Sequence, residues 1–420
     1  MVVLVPAPSF AIASPDFHPR TCGIGDHSLR LAGELRARGY SAEIFTRLPG
    51  TVHPEAPEVP VHAVASRFPI MIAEGIRRLV VQSGPSHLVI QYAPHMWGAG
   101  RFGSLATTWL ALAAKRAGLD VTVIAHELFT PLLPRPDLML GAILNRAQIV
   151  GIARAADRLL VSTDTRVEEL MPFWRLGGLP GRPGVLRIGP NSLPQRRSRT
   201  TTRPRRLGFF STFAVTKRFD VVLGAFEQVW RRWPDSELVL IGDIGGRDSR
   251  HVASIHRAIE QHPGRDRIRL TGKLPLEEVA EQIADLDLYL FPMTTGANTR
   301  SGTLPVALGS GLPVVALNGT ETDLELFRDR ENVLFAKSMT AEAFASSSIE
   351  ILESPALAER ISMGARRLYD EHLSWSRIGD AFIAALGLQS TPVGSRTPDA
   401  ELARAQYPIG PVGSDRIVAR

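Results

Sequence analysis

One polar loop carries residues suited to binding a phosphate group: Arg300, followed by Ser301, Gly302 and Thr303. The apolar run before it, at 288–291, is typical of a buried strand; a short helix is predicted at 303–308 and a second strand at 313–317. Open parallel sheets bind ligands outside the carboxyl ends of their strands, where this loop falls. A cation beside the free amides of a helix start suits a phosphate, although the same residues would also serve as an ordinary helix N-cap.

Lys217 is a second candidate cation, shortly before a helix predicted at 221–233. The positive end of a helix dipole disfavours a cation there, so a functional role competes with that of a solvated surface lysine. His126 ends a strand predicted at 121–125 and is followed by Glu127. A histidine satisfied within the core is the plain alternative to a residue that faces a ligand.

The elements that position these residues alternate between strand and helix in two similar halves, which predicts parallel sheets with helices on both faces. Asp26 is expected to cap the first long helix, which ends at Gly39. The other predicted elements of the first half are strands at 2–5, 42–45, 87–91, 121–125, 159–161 and 185–189 and helices at 106–117 and 167–173. Those of the second half are strands at 207–210, 238–241, 268–271, 288–291 and 313–317 and helices at 221–233, 255–261, 276–284 and 303–308.

Length and composition agree with this organisation. At 420 residues, with 44% hydrophobic residues and a mean hydropathy of +0.02, the chain is expected to form two or three soluble domains. No apolar run is long enough for a bilayer span, and the apolar start has no basic region and reads as a strand rather than a signal peptide. The single cysteine, Cys22, indicates a reducing compartment, so a cytoplasmic location is expected.

The net charge of +6 does not indicate nucleic-acid binding. Nearly all of it is arginine, and the densest basic run, beginning at Arg196, falls in a Thr- and Pro-bearing segment that resembles a linker. No reading module or interleaved aromatic residues accompany it.

Several short segments, taken in order, resemble the retaining glycosyltransferases of the two-Rossmann-domain type (GT-B), family four, also called glycosyl transferases group 1. The resemblance covers roughly residues 1–388. The segments that carry it are Gly23-Ile-Gly-Asp, Val123-Ile-Ala-His-Glu, Ala156-Asp-Arg-Leu-Leu-Val-Ser, Lys217-Arg-Phe-Asp, Leu240-Ile-Gly-Asp, Gly311-Leu-Pro-Val-Val and Glu325-Leu-Phe-Arg-Asp-Arg-Glu-Asn.

The resemblance implies an α/β fold of two Rossmann-like, doubly wound parallel-sheet domains facing across a cleft. The expected organisation is an acceptor-binding domain at 1–190, a linker at 191–205, a nucleotide-sugar-binding domain at 206–372, a helix at 373–388 that crosses back to the first domain, and a poorly ordered tail at 389–420.

The resemblance also implies a metal-independent transfer of sugar, with no cofactor, from a nucleotide-sugar to the hydroxyl of a small-molecule, glycan or lipid-linked acceptor. The implied catalytic residues are His126, Lys217 and Arg300. The implied donor-binding residues are Gly25, Thr212, Lys217, Gly272, Lys273, Leu274, Asn298, Arg300, Ser301, Gly302, Thr303 and Glu325, and the implied acceptor-binding residues are Gly23, Asp26, Tyr92 and His95. An Asp-x-Asp at Asp285 and Asp287 precedes its strand, at the end away from the ligand loops, so no metal site is expected there.

Three positions depart from the family pattern. The two glutamates that the family carries around the phosphate loop are replaced by Asn298 and Val306, and its phosphate-binding arginine is replaced by Thr212. One interpretation is relocation, in which Arg300 supplies the missing positive charge. The other is decay of the donor site.

Three other classes of protein stay open. Decay would leave a non-catalytic nucleotide-sugar-binding protein. A nicotinamide oxidoreductase is disfavoured because the chain has no Gly-x-Gly-x-x-Gly after its first strand. An enzyme docked on anionic lipid through its arginines is possible from composition alone.

Overall fold

The computed structural model describes residues 8–15, 17, 23–47, 59–66, 68–94, 96–97, 103–130, 136–196, 205–211, 213, 217–244 and 249–389. These residues form two parallel β-sheets, one of seven and one of six strands. The expected α/β class with two Rossmann-like sheets is therefore confirmed. Among the described residues, no helix has the length and hydrophobicity needed to cross a membrane.

The first sheet has the strand order β3-β2-β1-β4-β5-β6-β7, all parallel. Its strands are β1 (Ser9–Ala13), β2 (Ser41–Arg47), β3 (Val61–Val64), β4 (His87–Tyr92), β5 (Asp120–Ala125), β6 (Arg158–Val161) and β7 (Gly184–Val185). Its helices are α1 (Gly23–Ala37), α2 (Pro69–Ser83), α3 (Gly103–Arg116), α4 (Pro136–Ala155) and α5 (Asp164–Leu176).

The second sheet has the order β10-β9-β8-β11-β12-β13. Its strands are β8 (Arg206–Phe210), β9 (Glu237–Ile241), β10 (Ile268–Leu270), β11 (Leu288–Phe291), β12 (Val314–Leu317) and β13 (Leu334–Ala336). The helices are α6 (Phe219–Arg232), α7 (Ser249–Glu260), α8 (Leu276–Ala284), α9 (Leu304–Gly309), α10 (Ala341–Glu353) and α11 (Pro355–Leu368), followed by a π-helical turn at Tyr369–Leu373 and by α12 (Trp375–Ala385).

Central strands of both sheets are buried along almost their whole length, as expected where helices cover both faces. In the first sheet, α2, α3 and α4 pack on one face, while α1 packs on the other. The reversal of strand order between β1 and β4 produces this arrangement, because right-handed crossovers that run in opposite directions place their helices on opposite faces. The loops at the carboxyl edge, next to this reversal, are the ones that position the site.

Helix α12 comes late in the chain but packs against the first sheet, beside α1. Trp375 is 1% exposed, and its indole Nε1 donates to Pro190 O at 2.9 Å, in the segment that joins the two sheets. At the other end of the contact, Arg38, directly after α1, donates to Asp380 Oδ1 at 2.9 Å. Helix α12 therefore packs on the first sheet and hydrogen-bonds the segment that leads from the first sheet to the second.

Several expected elements need correction. The first helix begins at Gly23, so the expected cap at Asp26 is wrong, and Asp26 lies in its first turn. The first described strand is Ser9–Ala13, which the sequence pattern did not indicate; the expected strand at 2–5 lies outside the described residues. The pattern also missed β3, α2, α4, β13, α10 and α11. The domain boundaries stay predictions, and residues 390–420 of the tail lie outside the described residues.

Candidate active site

The loop between β11 and α9 is shaped by Gly296 and Asn298. Gly296 has φ +91° and approaches Gly319 so closely that a Cβ there would lie 2.5 Å from Gly319 N. Asn298 is 4% exposed; its Oδ1 accepts from Arg300 N at 3.1 Å and its Nδ2 donates to Thr295 Oγ1 at 3.3 Å. Asn298 therefore holds the loop in shape, with its side chain turned into the loop and away from solvent.

Arg300 extends from this loop across the cleft. Its Nη2 donates to Glu127 Oε1 at 2.8 Å, on the first sheet's side, and its Nη1 donates to Glu321 Oε2 at 2.5 Å, on its own side. Burial opposes the charge of the guanidinium, but the two carboxylates raise its pKa. Its Nε is buried and has no partner among the described residues. The loop cation expected from sequence is thus in the cleft, but two carboxylates already pair with it.

Lys217 lies two residues before α6, near enough to Arg300 to feel its charge. The pKa of Lys217 is lowered, first by burial and then by the positive charge of Arg300. No carboxylate lies within ion-pair distance of Lys217 in the part of the chain that the structure describes. Lys217 and Arg300 are thus neighbouring cations, and Lys217 has no counter-ion among the described residues. Such a pair would stabilise a dianionic group bound between them.

His126 lies on the opposite side of the cleft, at the carboxyl end of β5. Its Nε2 is 2.6 Å from Gln91 Oε1, and its ring makes an edge contact with His27 at a centroid distance of 4.9 Å. Burial lowers the pKa of His126 to about 4, so its ring is neutral at pH 7. Glu127, the next residue, is the carboxylate that pairs with Arg300. This ion pair therefore connects the segment that carries His126 to the loop that carries Arg300.

The amino end of α1 and the loop between β11 and α9, which is called the phosphate loop after its expected role, both approach Asn191. Asn191 N donates to Gly302 O at 3.1 Å, and a Cβ built on Gly302 would lie 1.8 Å from Asn191 Oδ1. A Cβ on Gly23 would lie 3.8 Å from Asn191 Nδ2, so Gly23 and Gly302 approach the same side chain from opposite sides of the cleft. Gly25 is in the first turn of α1, and Ser301 Oγ and Thr303 Oγ1 are 2.9 Å apart at the start of α9.

The remaining expected site residues are joined less closely to this group. Tyr92 is fully buried in the core of the first sheet, where its backbone carbonyl oxygen accepts from His126 N at 2.9 Å. Glu325 is exposed and lines a groove beside α11; the carboxylate that reaches Arg300 is Glu321, which the sequence pattern did not single out. Gly272, Lys273 and Leu274 follow β10 at the sheet's carboxyl edge, with Lys273 exposed. His95 and Thr212 lie outside the described residues.

The Asp-x-Asp motif lies at the opposite, amino-terminal edge of the second sheet. Arg206 N donates to Asp287 Oδ2 at 2.9 Å, and Arg206 Nη1 pairs with Asp285. Within the described ranges, no group of three or more His, Asp or Glu side chains is arranged to hold a metal ion. The two aspartates therefore join strands and do not reach the cleft.

Comparison with known proteins identifies part of the chain. Residues 194–368 match the family model for Glycosyl transferases group 1. The comparison with curated proteins found no match.

Solved structures resemble nearly the whole chain. HepE of Anabaena in complex with UDP is 14% identical, with a TM-score of 0.67 over 90% of this chain and 99% of that chain. Sucrose-phosphate synthase of Thermosynechococcus elongatus is 15% identical, with a TM-score of 0.69 over 90% and 98%. The pneumococcal O-GlcNAc transferase GtfA in complex with UDP and GlcNAc is 13% identical, with a TM-score of 0.66 over 91% and 99%. Residues 194–368 thus match Glycosyl transferases group 1, and the chain shares the two-sheet fold of these GT-B glycosyltransferase neighbours.

Proposed function

We propose that the protein is a retaining glycosyltransferase that moves a sugar from a nucleotide-sugar to the hydroxyl of an acceptor without a metal ion. The observation that carries the proposal is the meeting of the two sheet edges. Arg300, with Lys217 beside it, contacts Glu127, and His126 is the residue before Glu127. This arrangement supports a cationic phosphate site opposite a neutral histidine.

Lys217 and Arg300 would bind the diphosphate of the donor, joined by the amides of Gly302 and Thr303. The unpartnered Nε of Arg300 gives the guanidinium one donor that neither carboxylate uses. The positive charge of Arg300 lowers the pKa of Lys217, and a diphosphate between the two cations would raise it again. These groups would stabilise the charge that grows on the diphosphate as it leaves, which is a task for preorganised donors.

In the proposed step, the acceptor oxygen forms a bond to the anomeric carbon on the face from which the diphosphate departs. The bond from that carbon to the diphosphate oxygen breaks, and the acceptor's proton passes to a phosphate oxygen. His126, neutral at pH 7, would bind a hydroxyl of the transferred sugar, while the amino end of α1 at Gly23 would face the acceptor. The charge on the leaving group is met by side chains, so the proposal includes neither a metal nor a cofactor.

UDP-sugars are the first donors to test, because the HepE and GtfA structures contain UDP. Small-molecule, glycan and lipid-linked acceptors remain equal candidates, and we propose a cytoplasmic location. A thermal-shift panel of nucleotide-sugars would identify the donor, since a ligand bound to the native state raises apparent stability. Transfer would then be measured with that donor, and proton NMR would give the anomeric configuration of the product. An inverted product would contradict the retaining mechanism.

One second candidate has its own support. Asn298 is engaged within its loop and Val306 is buried in the core, so neither position supplies the carboxylate that the family carries around this loop. These observations favour a nucleotide-sugar-binding protein without transferase activity. Tight binding of a donor with neither transfer nor hydrolysis would support this candidate.

A further inference from the structure

Gln91 is a buried residue that the proposed reaction does not yet use. It lies near the carboxyl end of β4, directly beside β5, and the pairing of these two strands brings it next to the loop that begins at His126. Its residue exposure is 0%, yet its side chain makes one hydrogen bond within the described structure, to His126 Nε2 at 2.6 Å. Gln91 Nε2 is buried and has no partner there.

A buried amide is costly unless it is hydrogen-bonded, and a half-satisfied one stabilises the fold poorly. The position of Gln91 is therefore better explained by what it does to His126. A neutral imidazole carries one proton, and the partner of one ring nitrogen determines which nitrogen holds it. Because an amide oxygen only accepts, its contact with Nε2 places the proton there and leaves Nδ1 as an acceptor.

His27 of α1 packs against the His126 ring. Both ring nitrogens of His27 are buried without a described partner, and its ring centroid lies 5.2 Å from that of Trp375 in α12. Among the described residues, Gln91 alone hydrogen-bonds the His126 ring. The nearest charged residues in sequence are Asp26, which precedes His27 on α1, and Glu127, which follows His126. The carboxylate of Glu127 pairs with Arg300 and Arg166.

We propose that Gln91 is a positioning residue that fixes His126 in its Nε2-protonated tautomer, so that Nδ1 accepts a hydrogen bond from a substrate hydroxyl. The reaction part of this inference rests on the proposed function. The tautomer itself can be measured without any activity.

The direct test is ¹⁵N NMR of the histidine rings in the full-length protein. The His126 signals are assigned by their loss in His126→Phe. In the wild type we expect a protonated Nε2 and an unprotonated Nδ1 at pH 7. In Gln91→Leu we expect a smaller Nε2-protonated fraction, because no acceptor holds the Nε2 proton and only the ring's own preference remains. In Gln91→Glu the carboxylate stabilises the imidazolium, so the pH at which the ring protonates rises. An unchanged tautomer in Gln91→Leu, or a Nδ1-protonated ring in the wild type, overturns the inference.

Activity is then compared at saturating donor. We expect kcat of Gln91→Leu to fall by about tenfold or more, because a misoriented contact in an active site carries a cost of this size. Gln91→Glu is expected to lose activity as pH falls through its raised histidine pKa, whereas the wild type keeps its activity there. Gln148→Leu, which also replaces a buried glutamine of the first domain, controls for the cost of the substitution to the fold.

The two proposals can fail separately. If the wild type transfers no sugar but the tautomer depends on Gln91, the positioning inference stands and the proposed function fails. If the wild type transfers sugar and the His126 tautomer is the same in the wild type and in Gln91→Leu, the proposed function stands and the inference fails.

Discussion

Arg300 Nη2 lies 2.8 Å from Glu127 Oε1, and this ion pair joins the phosphate loop of the second sheet to the residue after His126 in the first. Glu127 is also 3.3 Å from Arg166 of α5, and Arg300 also pairs with Glu321. Arg300, which the relocation hypothesis assigns to the role of the family's missing arginine, is therefore shared between two carboxylates. A donor diphosphate has to compete with them, which separates relocation from decay experimentally.

Replacing Arg300 by alanine tests relocation. We expect Arg300→Ala to lower donor affinity by roughly 2 kcal/mol or more, since charge-assisted hydrogen bonds to phosphate are among the strong ones. Thr212→Arg in that background is expected to recover part of the loss, and Arg300→Lys less than full activity, because lysine cannot form the bidentate fork. Isothermal titration with the identified donor measures each variant.

Arg166→Ala is the matched control, since it removes the other cation on Glu127 and leaves the phosphate loop intact. It is expected to bind donor like the wild type. If Arg300→Ala also binds like the wild type, Arg300 only bridges the two domains and relocation is wrong.

Glu321→Gln is expected to tighten donor binding. The substitution removes a negative charge that holds Arg300 and repels a phosphate, while the amide keeps the shape of the side chain. We expect a gain of about 1 kcal/mol, or about fivefold in affinity. Glu168→Gln, in an exposed pair with Arg182, controls for the general loss of a carboxylate. Weaker binding by Glu321→Gln would mean that Glu321 orients Arg300 for the donor.

Lys217 presents a conflict between stability and function. Its charge is disfavoured by burial and by Arg300, so Lys217→Met is expected to leave the melting temperature unchanged or raise it. Catalysis is expected to lose about 2–4 kcal/mol of transition-state stabilisation, by analogy with the removal of one oxyanion donor. Melting curves and kcat/KM of the same preparation test both parts. Turnover equal to that of the wild type would make Lys217 an ordinary residue before a helix.

The sequence predicted what depends on local pattern. The apolar runs at 238–241 and 288–291 and the amphipathic segment at 276–284 have nearly the bounds of β9, β11 and α8, because each is bordered by charged or turn residues. It missed α4, where apolar residues surround the helix and give no clear periodicity.

Pairings between distant segments could not be predicted. Glu321 occurs in a short polar stretch with no motif, and only the fold brings it to Arg300. The same holds for Gln91 and His126, 35 residues apart, which meet because β4 and β5 are neighbours. Local spacing therefore indicated the cations of the site but not the groups that modulate them.

Gly296 is expected to be indispensable for the phosphate loop. Alanine there would combine a positive φ with a Cβ 2.5 Å from backbone at Gly319, and backbone has little freedom to move. We expect Gly296→Ala to cost more than about 2 kcal/mol of unfolding free energy. Gly84→Ala is the control: φ is +68° but nothing lies within 4 Å, so only the conformational cost of about 1–2 kcal/mol applies. Urea unfolding compares them, and equal losses would contradict the close approach.

His27 and His126 make the stability of the protein depend on pH. Burial lowers the pKa of both rings below the ordinary value of 6.5, that of His126 to about 4. The unfolded chain therefore binds protons that the native state does not, so their contribution to stability is complete above about pH 6.5 and is lost as pH falls towards 4. For His126 the loss is up to about 3 kcal/mol.

His27→Phe tests this dependence, because phenylalanine keeps an aromatic ring against His126 and Trp375 but cannot be protonated. His27 has no described hydrogen bond to lose, so at pH 7 we expect the unfolding free energy of the variant to lie within about 1 kcal/mol of that of the wild type. Between pH 6.5 and 4.5 it is expected to lose less stability than the wild type. Urea unfolding of the wild type and His27→Phe across this pH range measures the dependence, and equal slopes would show that His27 takes up its proton as readily in the native state as in the unfolded chain.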